Sequence, residues 1–463
     1  MYRATFPGGV HPPESKRTAE SQIETLPVPP RLVVPMAQCL GAPSRPVARK
    51  GETVKKGQMI GQPDGFISAA VHAPTSGTVT GIERVIDSAT GRQTDAVAIE
   101  PDGDDAWAEG VGQPRPWQDL GADAIREAVA AAGIVGMGGA TFPTHVKLTP
   151  PKGKHIDTIL INGAECEPYL TCDYRVMLDR AEDIVTGLRL CMKATGAERG
   201  SIGIEDNKPA AIACLQEAVR GHDGCDVRVF ETKYPQGAEK QLILACLGRE
   251  VPTGGLPADV GVVVQNVQTA RAIADAVVRG VPLIERVLTV SGDAAAVPGN
   301  FRVRIGTPIA ALLEKADVAD GFEELILGGP MMGKDQFTTD LHVTKGTSGV
   351  LAMRRAAVYE GGPCIRCGVC VRHCPSQVNP SRLSILGESF LDGNLDAIDI
   401  AMDRGLMDCI LCGTCAYVCP ARRRIVHLIE MMRGERRKAL QRQREKEEAQ
   451  KAELKREVEK VAE

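Results

Sequence analysis

Two cysteine strings in the C-terminal part of the chain have the residue types and spacing for redox chemistry. Cys364-Ile-Arg-Cys367-Gly-Val-Cys370-Val-Arg-His-Cys374-Pro375 is answered by Cys409-Ile-Leu-Cys412-Gly-Thr-Cys415-Ala-Tyr-Val-Cys419-Pro420. Each is a C-x2-C-x2-C-x3-C-P run, in which the first thiolates wrap one [4Fe-4S] cube and the last crosses over to ligate the other. That pattern assigns Cys364, Cys367, Cys370 and Cys419 to one cube, and Cys409, Cys412, Cys415 and Cys374 to the other. Gly368 and Gly413 permit close backbone approach inside each loop. Zinc frameworks pair two C-x2-C knuckles and do not repeat this longer string. The expected chemistry is electron transfer.

Such clusters take one electron each, so a partner site must feed or drain them. The stretch from Gly133 to Lys147 contains Gly136, Gly138, Gly139, Ala140 and Phe142. Glycines there let backbone N–H groups approach a phosphate or a flavin ring with no Cβ in the way, and Lys147 supplies a positive charge. Three further polar strings accompany the loop: Asn162-Gly-Ala-Glu165-Cys-Glu167-Pro168, Tyr234-Pro-Gln-Gly237-Ala-Glu239-Lys240 and Gln265-Asn266-Val267. Carboxylates and amides of this kind accept hydrogen bonds from ribityl, ribose or nicotinamide groups. Each also has a plain reading, a surface charge or a helix cap.

The elements that must position these residues are legible in outline. Residues 31–100 read as short strands resembling the flattened barrel of biotinyl and lipoyl carrier domains, with 1–30 as an N-terminal extension. A carrier needs a lysine at its hairpin tip, and no lysine occurs between Gly57 and His145, so the barrel is structural. Pro101–Pro116 reads as a linker. From 120 to 280, apolar strands at 158–162 and 261–265 alternate with helices at 123–132, 183–194 and 210–220, which predicts a doubly wound α/β domain. Ligands in such sheets bind at the carboxyl ends of the strands, where these polar strings fall. Residues 281–345 look like a small β-grasp domain with a helix at 309–316 and a structural role. A cluster domain follows at 346–432, with an amphipathic helix at about 380–404. The charged stretch 433–463 reads as a solvated helix or frayed tail.

Composition sets limits. At 463 residues the chain is too long for one core. The formal net charge of −4 argues against a nucleic-acid partner. Fifteen cysteines, seven of them scattered outside the two runs, are unlike a disulfide framework and point to a reducing cytosol. Met1–Pro13 lacks the basic and apolar regions of a signal peptide. No stretch approaches the roughly 18 apolar residues of a membrane span.

Taken in order, these motifs resemble a known family. The glycine loop, the Asn-x-x-Glu-x-Glu-Pro string, the Gly-x-Glu patch and the Gln-Asn-Val string look like the flavin and NADH site of the 51-kDa-type subunit of respiratory complex I. The closer resemblance is to the C subunits of Rnf/Rsx ion-translocating ferredoxin:NAD oxidoreductases. It rests also on Phe6-Pro-Gly-Gly-Val-His11-Pro-Pro-Glu-Ser-Lys16, Gly328-Gly-Pro-Met-Met-Gly333 and the paired cysteine runs. It covers about residues 5–430 and implies bound FMN contacted by Gly136, Gly138, Lys147, Asn162, Glu165, Glu239 and Asn266. Gly139, Ala140, Phe142 and Glu167 would lie towards NAD(H), and Gly237 and Gln265 belong to the same cofactor-binding set. Lys147, Glu165 and Glu167 are the candidate catalytic side chains.

The resemblance also implies an α/β multidomain chain: a lipoyl-like β barrel-sandwich, a Rossmann-like FMN/NADH domain, a β-grasp domain and a ferredoxin-type α-helical domain for two [4Fe-4S] clusters. Electrons would pass between NAD(H), FMN, the cluster pair and a partner's iron–sulfur centre, and so indirectly to ferredoxin. The other subunits of a membrane-bound complex would be partners, with this chain peripheral on the cytoplasmic face of the inner membrane. The sequence departs from the complex I pattern at Ala164, where an aspartate is usual, and at Gln265, where the first of two asparagines is usual, which predicts a loosely held FMN. Two alternatives are a non-enzymatic iron–sulfur wiring module and a corrin (cobalamin) reductase of the same family. The barrel and the Phe6–Lys16 string speak against the second.

Overall fold

The computed structural model describes residues 5–462, which divide into two compact units. The first comprises His11–Ala357 and the residues just before Pro7; the second comprises Pro7–Val10 and the chain from Val358 onward.

At the centre of the first unit is a four-stranded sheet whose strands are all parallel. Its spatial order is Cys225–Phe230, Arg199–Glu205, Thr158–Gly163, Val262–Asn266. The strand Thr158–Gly163 therefore has Arg199–Glu205 on one side and Val262–Asn266 on the other, and the winding reverses between them. Side chains such as Ile159, Ile161 and Val263 are fully or nearly fully buried, as a sheet covered on both faces requires. The helices Ala181–Thr195 and Val267–Arg279 pack together against it. Gly187 makes their close approach possible: a Cβ there would lie 1.9 Å from the Ala270 carbonyl oxygen. Both helices end on a glycine in the left-handed conformation, Gly196 and Gly280, which continues the chain without a Cβ penalty.

Before this domain lie two small antiparallel sheets, one of Leu32–Pro35, Gln93–Pro101, Gly77–Ile86 and Thr53–Val54, the other of Arg45–Pro46, Met59–Gln62 and Val71–His72. They share a core of Val34, Ile60, Val79 and Val97. After it comes a six-stranded mixed sheet with helix Ile309–Lys315 packed in its core. Ile23–Thr25, within the stretch expected as an extension, is the edge strand of that sheet, parallel to Asn300–Arg302.

The second unit is helical, with its core formed by Cys370, Leu383, Leu386, Ala401, Cys415, Ile425 and Ile429. The single amphipathic helix expected at 380–404 is two helices, Pro380–Leu391 and Ala397–Met402, because Gly393 at φ 97° breaks the run. The charged stretch continues a helix that begins earlier, at Ile425, and extends to Ala462.

Candidate active site and cluster sites

The polar strings of the α/β domain converge at the carboxyl ends of Thr158–Gly163 and Val262–Asn266, the point where the winding reverses. Such a reversal leaves a crevice that neighbouring connections cannot fill. The glycine loop lies across it. Thr269 Oγ1 accepts from Met137 N at 2.9 Å, and Gly136 N donates to Phe142 O at 2.9 Å, closing the loop on itself. Gly138, Gly139 and Ala140 are exposed. A Cβ on Gly138 would sit 3.4 Å from the Asn266 side chain, so the bare backbone lines the space beside that amide.

Lys147 reaches in from the short helix after the loop. Its ammonium donates to Glu239 Oε1 at 2.9 Å and to the Val264 carbonyl at 3.2 Å. Asn162 donates to the Gly237 carbonyl at 2.7 Å and accepts from Ala164 N at 3.1 Å. Asn266 caps the helix Val267–Arg279 by accepting from Gln268 N at 2.8 Å, while its amide donates to Asp173 at 2.6 Å. The structure thus brings Gly138, Lys147, Asn162, Gly237, Glu239 and Asn266 into one contact network.

The two glutamates of the 162–168 string take different places. Glu165 is buried, and its carboxylate accepts from the backbone N–H of Asp173 at 2.8 Å and of Tyr174 at 3.2 Å, capping the helix Cys172–Asp179. Burial raises its pKa, opposed by the positive charge of Lys16. Glu167 accepts from Met331 N at 3.0 Å, inside the Gly328–Gly333 string, and burial pushes its pKa up to about 7. Gly329 must lack a side chain for this contact, since a Cβ there would fall 2.3 Å from Glu167 Oε2. Glu165, Cys172 and Asp173 group their ligand atoms within 4.8 Å. Both oxygens of each carboxylate are already hydrogen-bonded, Asp173 to Asn266 and Gln268, so the group braces the site rather than offering open metal positions.

Lys16 is not among the site residues expected from sequence, yet it holds the loop that carries Glu165 and Glu167. Its ammonium donates to three carbonyls, those of Glu165 at 2.8 Å, Glu167 at 2.9 Å and Leu170 at 2.6 Å. Nearby, Lys208 and Glu205 form a buried ion pair at 2.9 Å at the end of the neighbouring strand. The signal for Lys16 is its place in the Phe6–Lys16 string, which by itself attaches no role to it.

The site's residues fit a flavin. Gln236 and Gln265 are buried, and neither side-chain amide has a hydrogen-bond partner among the described residues. Their amide atoms are closed off from the crevice; what fits a flavin is the exposed bare backbone of Gly138 and Gly139 beside the Asn266 amide, with the Lys147 ammonium at the same strand ends.

In the second unit the two cysteine runs adopt the same backbone. Arg366 and Leu411 both have positive φ (58° and 56°), as do Gly368 and Gly413 (72° and 79°), and Gln377 and Arg422 (53° and 49°). Left-handed residues at alternate positions turn successive N–H groups inward, a nest suited to an anionic thiolate cube. Cys364, Cys367, Cys370 and Cys419 line one cavity together. Cys374, Cys409, Cys412 and Cys415 are close enough for their thiols to influence one another. Burial first, and neighbouring thiols after it, push Cys409 up to about 11 and Cys415 higher still. Without a metal these groups hold their protons, and a cube would displace them.

Three family models match this arrangement: the Nuo51 FMN-binding domain over residues 129–275, the RnfC barrel sandwich hybrid domain over 4–104 and a 4Fe-4S dicluster domain over 360–423. Fold and site together define a flavin-domain and dicluster type of electron-transfer protein. The C subunit of the proton-translocating ferredoxin:NAD(+) oxidoreductase complex of Clostridium ljungdahlii is 48% identical over 451 residues, 96% of each chain. The C subunit of the Na(+)-translocating ferredoxin:NAD(+) oxidoreductase complex of Acetobacterium woodii is 47% identical, over 82% of this chain and 86% of that one. The C subunit of the ion-translocating oxidoreductase complex of Rhodobacter capsulatus is 43% identical, over 81% and 74%. The chain belongs to this family of C subunits. Among its described residues no helix is long and apolar enough to cross a membrane.

Proposed function

We propose that the chain is the subunit of an ion-translocating ferredoxin:NAD oxidoreductase complex that passes electrons between NAD(H), FMN and two [4Fe-4S] clusters. The observation that carries this is the convergence of Gly138, Lys147, Asn162, Glu239 and Asn266 at the reversal point of the parallel sheet, in one chain with the paired cysteine runs. NADH gives up a two-electron package and a cube accepts one electron; a flavin supplies the chemistry that divides the pair.

The chain's own residues bind and orient. Gly136, Gly138, Gly139 and Ala140 offer bare or nearly bare backbone to the cofactor. Lys147, released in part from Glu239, would place positive charge at a bound flavin, and Asn162 and Asn266 would hold its polar groups. Gln265 and Gly237 belong to the same wall. Glu165 acts through the backbone it caps, and Glu167 stands on the nicotinamide side with Phe142. Cys364, Cys367, Cys370 and Cys419 hold one cube, and Cys409, Cys412, Cys415 and Cys374 the other.

In finer detail, residues 31–100 form the carrier-like barrel, 120–280 the flavin domain, 281–345 a β-grasp domain, 346–432 the cluster domain and 433–463 a charged tail. The partners are the other subunits of the complex, including one that carries iron–sulfur centres, and the chain sits peripherally on the cytoplasmic face of the membrane.

The test is anaerobic purification, addition of FMN and then NADH, and absorbance in the flavin and iron–sulfur bands. Bleaching by NADH supports the route. Bleaching by dithionite but not by NADH would leave clusters without an entrance, and the chain would then be wiring.

A further inference from the structure

The two cysteine sites share a backbone but not an environment. At the first, Cys367 is exposed and its neighbour Ile365 is 63% exposed, with Cys364 and Cys419 half-buried and only Cys370 buried. At the second, Cys412, Cys415 and Cys374 are 6%, 7% and 8% exposed and only Cys409 is half-buried. The segment Pro7–Val10 adds to this enclosure. Gly9 N donates to the His373 carbonyl at 2.9 Å, and a Cβ on Gly8 would lie 2.8 Å from the Cys374 carbonyl group. One site opens to solvent; the other is roofed.

Charge divides the same way. The segments that frame the first site, 358–382 and 417–428, carry exposed Arg366, Arg372, Arg382, Arg422 and Arg424, with Glu360 as their acidic residue. Arg423 lies among them but is buried and committed to Glu388 and Ser384. Two of the exposed arginines are held in place. Arg372 donates to the Cys367 carbonyl at 3.4 Å, and the Arg422 guanidinium lies 3.8 Å from the centroid of the Tyr359 ring. By contrast, the stretch leading into the second site carries Asp396, Asp399, Asp403 and Asp408 with Arg404, and the arginines there are engaged, Arg433 donating to the Cys409 carbonyl and Arg436 pairing with Asp399. Within the arginine rim stand the exposed apolar side chains Val358, Tyr359, Ile365 and Val371. An apolar centre rimmed by arginine is the make-up of a protein–protein contact surface.

We propose that this face, around the cube of Cys364, Cys367, Cys370 and Cys419, is where the chain exchanges electrons with its partner, and that the partner presents an acidic iron–sulfur protein surface. The inference rests on the cluster reading above. One electron crosses per encounter, and no atom or proton moves with it. A positive rim suits an acidic occupant because complementary potentials speed encounter and fix register. A second copy of this chain would bring arginine against arginine at the same face. The roofed site then serves as the internal relay.

The test uses the full chain with both clusters reconstituted. Iron content and bleaching by dithionite are measured first; their absence would sink the cluster reading itself, separately from this inference. The reduced protein is then reoxidised by ferricyanide, an anion, and by hexaammineruthenium(III), a cation. In Arg366→Glu/Arg422→Glu the ferricyanide rate should fall about tenfold at low salt and the hexaammineruthenium rate should rise, with both differences vanishing in high salt. The control Asp396→Lys/Asp403→Lys, beside the roofed site, should leave both rates near those of the parent protein.

Binding supplies a readout independent of turnover. Kd for a purified acidic [4Fe-4S] protein should rise about tenfold in the arginine variant and with added salt. Unchanged rates and Kd in that variant, or a larger effect from the aspartate variant, would overturn the proposal. So would salt-sensitive binding to anionic lipid vesicles in place of the acidic protein.

Discussion

The ammonium of Lys16 lies 2.8 Å from the carbonyl oxygen of Glu165, 149 positions further along the chain, and also serves the carbonyls of Glu167 and Leu170. One cation thereby sets the backbone of the loop that ends the central strand. Lys16→Met removes the donor and leaves these acceptors facing an apolar side chain, at a cost on the order of 3 kcal/mol. The midpoint of denaturant unfolding should drop, and FMN affinity should drop with it. An unchanged midpoint would show that water replaces the ammonium at no cost.

Lys147 is the positive group that, on the proposed reading, the site presents to a cofactor. Lys147→Ala leaves fold stability nearly untouched, because its pair with Glu239 is partly exposed. FMN binding, followed by quenching of flavin fluorescence, should weaken by about tenfold or more, the worth of one charge-assisted hydrogen bond. Parent-like affinity would remove Lys147 from the site.

Cys367→Ser and Cys412→Ser each take a ligand from a different site. Each variant should lose or convert one cube, with iron falling towards half and the EPR signal of the other cube retained. Unchanged iron and spectrum in both variants would sink the ligand assignment.

Glu167 gives the site a dependence on pH. Burial raises its folded pKa to about 7, above its ordinary value of 4.5, so the folded state holds the proton more tightly than the unfolded one. The resulting stabilisation is complete below about 4.5 and is lost as pH rises towards 7. Tm of Glu167→Gln, compared with the parent, should lack this fall. Parallel Tm curves across that window would refute it.

How much of this is legible in the sequence depends on how local each constraint is. The cysteine runs are readable because a cube dictates the spacing of the three ligands that one loop supplies to it. Thr158–Gly163 and Val262–Asn266 are readable because a strand covered on both faces must be apolar throughout. Lys16 is not, since its partners are carbonyls of residues about 150 positions away and a carbonyl leaves no mark on residue type. The cap that Glu165 places on Cys172–Asp179 is hidden for a related reason: the acceptor lies outside the usual position just before the helix. The break at Gly393 is masked by the apolar residues on either side of it.

The backbone repeat of the two cysteine runs has a consequence for biosynthesis. On the proposed assignment, in which the last cysteine of each run serves the other's cube, neither half is a self-sufficient mould. A ribosome that has released Cys364 through Cys374 has made a pocket still waiting for Cys419, and a lone ligand still waiting for Cys409, Cys412 and Cys415. On that assignment both cubes must wait for the second run, and a chain truncated before Cys409 would complete neither.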